Sequence, residues 1–398
     1  MIPRTLQRRL KELLGPYPAV FLTGPRQSGK TTLAQTTFPD FRYLSLEDLQ
    51  NRRDAMEDPR GFLGRFEGRG GVILDEVQRA PDLFSYLQGF IDANRGGPFL
   101  LTGSQHFLLS ERITQSLAGR VAILELMPFS LAEITQRSPL APEAMNRLDE
   151  VPAEAAPFDL DGILFKGMFP RIHDKGLEPT TWLDGYVRTY VERDVRSISN
   201  VGNLETFTRF VSLLAGRAGQ LLNASSLGAD AGVTHVTARK WISILQESYI
   251  IHLLRPHHAN FSKRLVKSPK VYFVDTGLLC YLLGIRRVED LATHPLRGAI
   301  FENFVVSELT KVFLHQGIRP PLSFWRDSNG REVDVIVDDG SRSIPVEIKS
   351  GKTVVPDFFK GLEYYERLSG HGGGILVYGG GESYQRGQHV VRAWWTCS

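Results

Sequence analysis

Eight consecutive residues, Gly24-Pro25-Arg26-Gln27-Ser28-Gly29-Lys30-Thr31, constrain this chain more than any other feature. They follow the apolar run AVFLT and open a segment of helical character, so a buried strand must turn sharply into a helix across them. The two glycines permit backbone angles that other residues resist. In such a turn the backbone N–H groups point inward at the positive end of the helix dipole and form a cradle for an anion. Lys30 adds a point charge for phosphate, and the Thr31 hydroxyl can ligate Mg²⁺.

The alternation of apolar strand, polar turn and helix continues through FRYLSL, GVILDE, PFLLTGS and RVAILEL. With AVFLTG these predict five strands of a P-loop parallel sheet with crossover helices, an α/β core over residues 1–135. Pro139, Pro142, Pro152 and Pro157 then interrupt regular structure, so 136–200 is expected to hold a linker and a helical lid, with one amphipathic helix over 182–198. Helical patterns at 207–217, 225–231 and 234–247, with the tight turn Ala231-Gly232-Val233 before the last, outline a helix-turn-helix. They place a winged-helix domain over 201–290. Residues 291–398 read as a helix, strands around FWRD, EVDVIVD and IPVEIKS, a helix over 357–368 and the strand GGILVYG, a separate small α/β domain.

At 398 residues the chain exceeds one ordinary domain, and 42% hydrophobic with 23% charged residues excludes a disordered or fibrous protein. Apolar runs such as Val72-Ile73-Leu74 fall far short of the roughly 18 residues that a membrane-spanning helix needs, so no membrane partner is expected. The N-terminal MIPRTLQRRLKELLG lacks the apolar core of a leader, which predicts a cytoplasmic chain. Cys280 and Cys397 stand alone and far apart, in keeping with a reducing compartment.

The strand VILDE ends in two acids. An acid there can hold Mg²⁺ through water and a second can orient an attacking water, so Asp75 is assigned to the metal and Glu76 to the catalytic base. Thr102 or Ser104, at the end of PFLLTGS, can sense a γ-phosphate, and Thr32 completes the phosphate-binding residues of the loop. Arg120, before the fifth strand, is a candidate for the transition-state charge, in cis or toward a neighbouring subunit of a homo-oligomer. Residues 24–31 are therefore expected to bind ATP with Mg²⁺.

Together these residues resemble the AAA-type ATPases of bacteria and archaea whose P-loop core is followed by a C-terminal domain of undetermined function. The match runs through GPRQSGKTT, ILDEVQ, LLTGSQ, SLAGRV followed by LMPFSLAE, YVERDV and KSPKVYFVDTGL, and covers most of the chain. The family's GGFP-like segment reads Gly167-Met168-Phe169-Pro170 here, a departure that bears on the local turn and leaves the phosphate chemistry untouched.

Net charge is only +3, but residues 231–274 hold Arg239, Lys240, Arg255, Lys263, Arg264, Lys267 and Lys270 against the single acid Glu247. Positive charge beside a helix-turn-helix is what phosphate contacts require, so Arg239, Lys240, Lys263 and Arg264 are the DNA-binding candidates. A winged helix can also dock a protein, and a charge run is often only a solvated face.

EVDVIV followed by IPVEIKSGK looks like the PD-(D/E)xK nuclease signature: Asp334 and Glu347 would bind a second divalent metal, Mg²⁺ or Mn²⁺, and Lys349 would activate a water. Glu302, in GAIFENFVVSEL, matches the helical acid often found with it. The Glu-x-Lys spacing puts both side chains on one strand face. The sequence thus predicts an ATP-hydrolysing, DNA-associated protein with a nuclease-like C-terminal domain. The alternative is a nucleotide-dependent switch or scaffold that binds DNA or a protein without cutting.

Overall fold

Each of the five apolar runs in the N-terminal third becomes a strand of one parallel sheet. The computed structural model describes residues 1–104, 116–145, 147, 158–191, 204–257, 266–338, 340, 342–370 and 372–398. Its first unit comprises Met1–Phe129 with Glu247–Tyr249 and Leu314–Ile318. Here β1 (Ala19–Thr23), β2 (Arg42–Ser45), β3 (Val72–Asp75), β4 (Phe99–Thr102) and β5 (Val121–Glu125) lie in the order β2-β3-β4-β1-β5. Every neighbouring pair is parallel.

β1, β3 and β4 are buried along their whole length because helices cover both faces, which is why they read as unbroken apolar runs. Leu6 and Leu10 of the helix Leu6–Leu13 and Leu33 of Lys30–Thr37 pack with Val20, Leu22, Ile73 and Leu100 on one face. Leu83, Phe84 and Leu87 of Leu83–Asp92 pack with Phe21, Leu74, Phe99 and Leu101 on the other. The chain leaves β1 for β2 on one side and reaches β5 on the other. β1 is therefore a switch point, where the carboxyl ends of the central strands open a crevice for a ligand.

The second unit comprises Ser130–Gln246, Ile250–Phe313 and Arg319–Ser398. Of the amphipathic helix expected over 182–198, the structure shows a helix Pro179–Tyr186 running into a π-helical turn Val187–Val191; 192–198 lies outside the described residues. Three helices follow, Leu204–Ala215, Ala224–Ala231 and His235–Glu247, with Gly232 in the left-handed conformation that the turn between the last two requires. Trp241 packs edge-on against Phe207 and Phe210 and so belongs to the core. β6 (Ile251–Leu254) and β7 (Lys270–Phe273) then form an antiparallel ribbon.

The unusual Gly167-Met168 pair meets the KSPKVYFVDTGL segment. The Asp275 carboxylate accepts from the Met168 N–H at 2.6 Å and caps the helix Thr276–Leu282, and a Cβ on Gly167 would collide with it. Gly167 also has positive φ, so it is the glycine this turn needs, while Met168 lends only its backbone there.

After the helix Arg297–Leu314 comes a mixed sheet of β8 (Leu322–Arg326), β9 (Glu332–Asp338), β10 (Ser343–Lys349), β11 (Ile375–Tyr378), β12 (Tyr384–Arg386) and β13 (His389–Ala393). Among the described residues it has the order β12-β13-β11-β10-β9-β8. β8, β9 and β10 are antiparallel, and β10, β11 and β13 are parallel. The β12–β13 hairpin is an addition to the elements expected from sequence. One apolar core runs from Phe207 and Trp241 through Phe304 to Val335 and Val346, so the helices and this sheet fold around shared side chains. Among the described residues no helix is long and apolar enough to cross a membrane.

Candidate functional site

The loop between β1 and the helix Lys30–Thr37 is built to bring backbone close to a ligand. Gly24 has φ +138°, and a Cβ there would run into the Leu126 carbonyl oxygen. Gly29, at φ +94°, is the N-cap of the helix, and Gln27 between them also has positive φ. The Ser28 hydroxyl is buried with no hydrogen-bond partner in the structure. A buried hydroxyl left so is unfavourable unless a ligand completes it, and a phosphate oxygen would.

Lys30 is 6% exposed and donates to the carbonyl oxygens of Gly24 at 3.0 Å and Pro25 at 2.7 Å. Burial lowers its ammonium to about 8 against the opposing pull of the Glu76 and Asp75 charges. Neutral carbonyls do not balance the charge of a desolvated cation, so an anionic phosphate would.

Asp75, at the end of β3, is the hub of the site. It accepts from Thr31 Oγ1 at 3.1 Å, from the Tyr43 hydroxyl at 2.9 Å and from the Thr102 hydroxyl. Glu76 follows in the left-handed region at φ 58°, a conformation that is strained for glutamate and that turns its side chain out of the strand's alternation. Its carboxylate accepts from Ser104 Oγ at 3.3 Å and from the Gln78 amide, and its N–H donates to Thr102 Oγ1 at 3.3 Å. The Thr31 hydroxyl and the Asp75 carboxylate, in contact with each other, fit the hard-oxygen preference of Mg²⁺, which keeps most of its shell from water and phosphate.

Thr31, Asp75, Glu76, Thr102 and Ser104 are thus brought together. Thr32 is exposed on the first turn of the helix. Arg120 lies elsewhere in its contacts: its guanidinium holds Asp92 through Nε at 2.5 Å and Nη2 at 2.9 Å, and donates to the Ala118 carbonyl.

Three contributors are absent from the sequence reading. Tyr43 comes from edge strand β2, and burial together with the Asp75 charge raises its hydroxyl to about 12. Arg4 donates to the carbonyls of Ser28 at 2.7 Å and Met127 at 2.6 Å, bracing the loop from the N-terminal segment. Gln78 orients Glu76 and had a signal, two residues along in ILDEVQ. Tyr43 and Arg4 had none, because strand order decides which strand lies beside β3 and packing decides which segment meets the loop.

In the second unit Asp334 on β9 and Glu347 and Lys349 on β10 converge as their spacing predicts. Lys349 Nζ lies 2.5 Å from Glu347 Oε1 and 3.6 Å from Asp334 Oδ2, and Asp334 accepts from the Ile348 N–H at 2.8 Å. Glu302 joins them from the helix Arg297–Leu314. Burial and then the Asp334 charge raise Glu347 to about 8, and the same two causes raise Glu302.

Lys270 of β7 corrects two expectations here. It is 2% exposed, 3.0 Å from Glu302, paired with Glu332 and 3.9 Å from Asp334. First, it drops out of the basic surface counted over 231–274. Second, the residues present do not fit a second metal, because an ammonium from outside the Asp334, Glu347 and Lys349 motif stands between Glu302 and Asp334. Among the described residues no group of three or more His, Cys, Asp or Glu is arranged to hold a metal ion.

Of the DNA-binding candidates, Arg239 and Lys240 are exposed on the helix His235–Glu247, beside exposed Thr234, His235 and Val236. Lys263 and Arg264 lie outside the described residues.

Comparison with known proteins agrees with the first unit's geometry. Residues 16–135 match an AAA domain. Residues 158–289 match one domain of unknown function, DUF8612, and residues 297–396 another, DUF4143. An uncharacterized protein of Mycobacterium tuberculosis is 32% identical over 354 residues, covering 88% of this chain and 74% of that protein. One of Methanocaldococcus jannaschii is 22% identical over 325 residues, 77% of this chain and 70% of the relative. A Walker-type ATPase of Pyrococcus abyssi superposes with a TM-score of 0.41 at 15% identity, over 70% of this chain and 94% of that one.

Proposed function

The chain belongs to the family of AAA-domain proteins that continue into C-terminal domains of unknown function, and from that premise we propose that it binds ATP with Mg²⁺ at residues 24–31 and hydrolyses it. The convergence of Lys30, Thr31, Asp75 and Glu76 at the carboxyl ends of β1 and β3 carries this reading. The loop N–H groups and Lys30 hold the phosphates. Thr31 and Asp75 would hold Mg²⁺, which when bound supplies charge neutralisation between the phosphates. Glu76, fixed by Ser104 and Gln78, orients the attacking water and takes its proton. Ser104, whose hydroxyl donates to Glu76, reports the γ-phosphate to it in this reading. Arg120 has no part in this reading while Asp92 holds its guanidinium.

Glu76→Gln tests the assignment. Nucleotide binding followed with a fluorescent ATP analogue should persist while phosphate release falls at least about 100-fold, the lower range for losing a general base. Unchanged release would remove Glu76 from the mechanism.

The helices Ala224–Ala231 and His235–Glu247 with the β6–β7 ribbon support a second reading, a winged helix that touches DNA through exposed Arg239 and Lys240. Replacing both with alanine should weaken DNA binding and flatten its salt dependence by about two units of log K against log salt, roughly 0.9 for each phosphate no longer neutralised. A salt slope that does not change would favour protein docking. The C-terminal sheet is read as a PD-(D/E)xK nuclease-like fold, of which the non-cutting version is preferred.

A further inference from the structure

The acidic cluster of the C-terminal sheet draws its cation from outside that sheet. Glu332 and Asp334 are alternate residues of β9 and share a face, as do Glu347 and Lys349 of β10. Glu302 reaches the same place from the helix Arg297–Leu314, where the Tyr272 hydroxyl also donates to it at 2.6 Å. Four carboxylates therefore face one another. Arg326 answers Glu332 at 2.9 Å from the sheet's outer strand, and Lys349 answers Glu347. Lys349 also stands 3.6 Å from Asp334, but the cation at Glu302 is Lys270, which belongs to the β6–β7 ribbon and to the KSPKVYFVDTGL segment.

We propose that Lys270 is the resident cation of this cluster, holding by a covalent tether the place that a divalent metal takes in a cutting nuclease, so that the C-terminal domain keeps its acids together without metal and does not cleave. The proposal rests on the nuclease-like reading of the fold. It explains three features at once.

The ammonium is enclosed with carboxylates on several sides, as a bound ion is, whereas a surface lysine would stay in water. The oxygens a metal would use are largely taken: Glu302 Oε1 by Lys270 and Tyr272, Asp334 Oδ2 by the Ile348 N–H, and Glu347 Oε1 by Lys349. Of the oxygens that remain, Asp334 Oδ1 faces the Lys270 ammonium at 3.9 Å, and Glu347 Oε2 is buried with no partner in the structure. Finally, a divalent ion beside Asp334 would meet the Lys270 ammonium in addition to that of Lys349, one cation more than the motif itself brings.

The experiment is a Mn²⁺ titration of the nucleotide-free full-length chain, with free Mn²⁺ followed by electron paramagnetic resonance. The wild type should show no Mn²⁺ site that depends on Asp334, so that wild type and Asp334→Asn give the same curve. Lys270→Gln should gain one Mn²⁺ per chain at least tenfold tighter than any the wild type binds, and Lys270→Gln with Asp334→Asn should lose it again. Lys270→Arg keeps the charge and should gain nothing.

A wild-type Mn²⁺ site lost in Asp334→Asn overturns the proposal, as does a folded Lys270→Gln chain that gains none. Should Lys270→Gln fail to fold, the wild type and Asp334→Asn curves decide alone. Mn²⁺-dependent nicking of plasmid DNA by the wild type, abolished in Asp334→Asn, would overturn the resident-cation proposal and leave the nuclease-like fold standing.

Discussion

Lys30 and Lys270 are both almost fully buried, both stand near paired acids, and they are held in opposite electrostatic states. Lys30 lies against neutral carbonyl oxygens, with Asp75 and Glu76 farther off, and burial wins: its ammonium is pulled down to about 8. At Lys270 burial pulls the same way, but the charges of Glu302, Asp334 and Glu332 outweigh it and hold the ammonium well above the usual lysine range. The first cation is kept at some expense to the fold and can turn to an anionic ligand. The second is neutralised by its own chain. Burial of a lysine is thus by itself silent about function; what decides is whether the surrounding charge is supplied by the protein or left to a ligand.

The largest expected effect is on turnover. Lys30→Met should lower ATP hydrolysis at least about 100-fold, as measured by phosphate release, by removing the charge aimed at the phosphates. Its thermal midpoint should stay level or rise, since the variant no longer buries an unbalanced cation. A clear fall in the midpoint would mean that Lys30 is structural and would break the comparison.

Lys270→Met should do the reverse to stability. It leaves buried carboxylates unpaired, and the free energy of unfolding of the second unit should fall by about 3–5 kcal/mol, the usual result of removing one partner of a buried pair, as read from denaturant melts. An unchanged melt would show that the ion cluster contributes little.

The smallest effect is a pH dependence. The free Lys30 loses its proton near 8, while phosphate favours the charged form and raises it. ATP affinity should therefore be insensitive to this group below about 8 and fall by up to about tenfold per pH unit above it, with a proton taken up on binding. For the fold alone the sign is opposite. A lysine depressed below its unfolded value of about 10.4 adds stability as pH rises through that window, and the contribution is lost as pH falls through about 8. Calorimetry in two buffers of different ionisation enthalpy at a pH about half a unit above 8 would detect the proton uptake, and its absence would remove Lys30 from phosphate contact.

Much of this molecule was legible in local pattern. The three central strands of the first unit, β1, β3 and β4, are unbroken apolar runs because both faces of a parallel sheet are covered, and the loop announces itself through two glycines, a lysine and a threonine at fixed spacing. The pairing of Asp334 with Glu347 and Lys349 followed from period-two alternation on neighbouring strands. The β12–β13 hairpin was not legible because Tyr384–Arg386 is short and exposed on the sheet edge, while the buried strand His389–Ala393 carries polar His389 and Arg392 among its apolar residues.

By itself the sequence determined the elements and the nucleotide loop, because a strand, a turn of fixed glycines and a helix are set by residues next to one another. Only the tertiary structure decided what those elements meet. Tyr43 reaches Asp75 because β2 lies beside β3, 32 residues apart in sequence. Lys270, read in sequence as one more charge of a basic run, reaches Glu332 and Asp334 because the ribbon packs against the sheet. Charge is written residue by residue, but its partner is chosen by packing between distant segments, and in this chain that choice separates a cation placed for a phosphate from one the fold has already balanced.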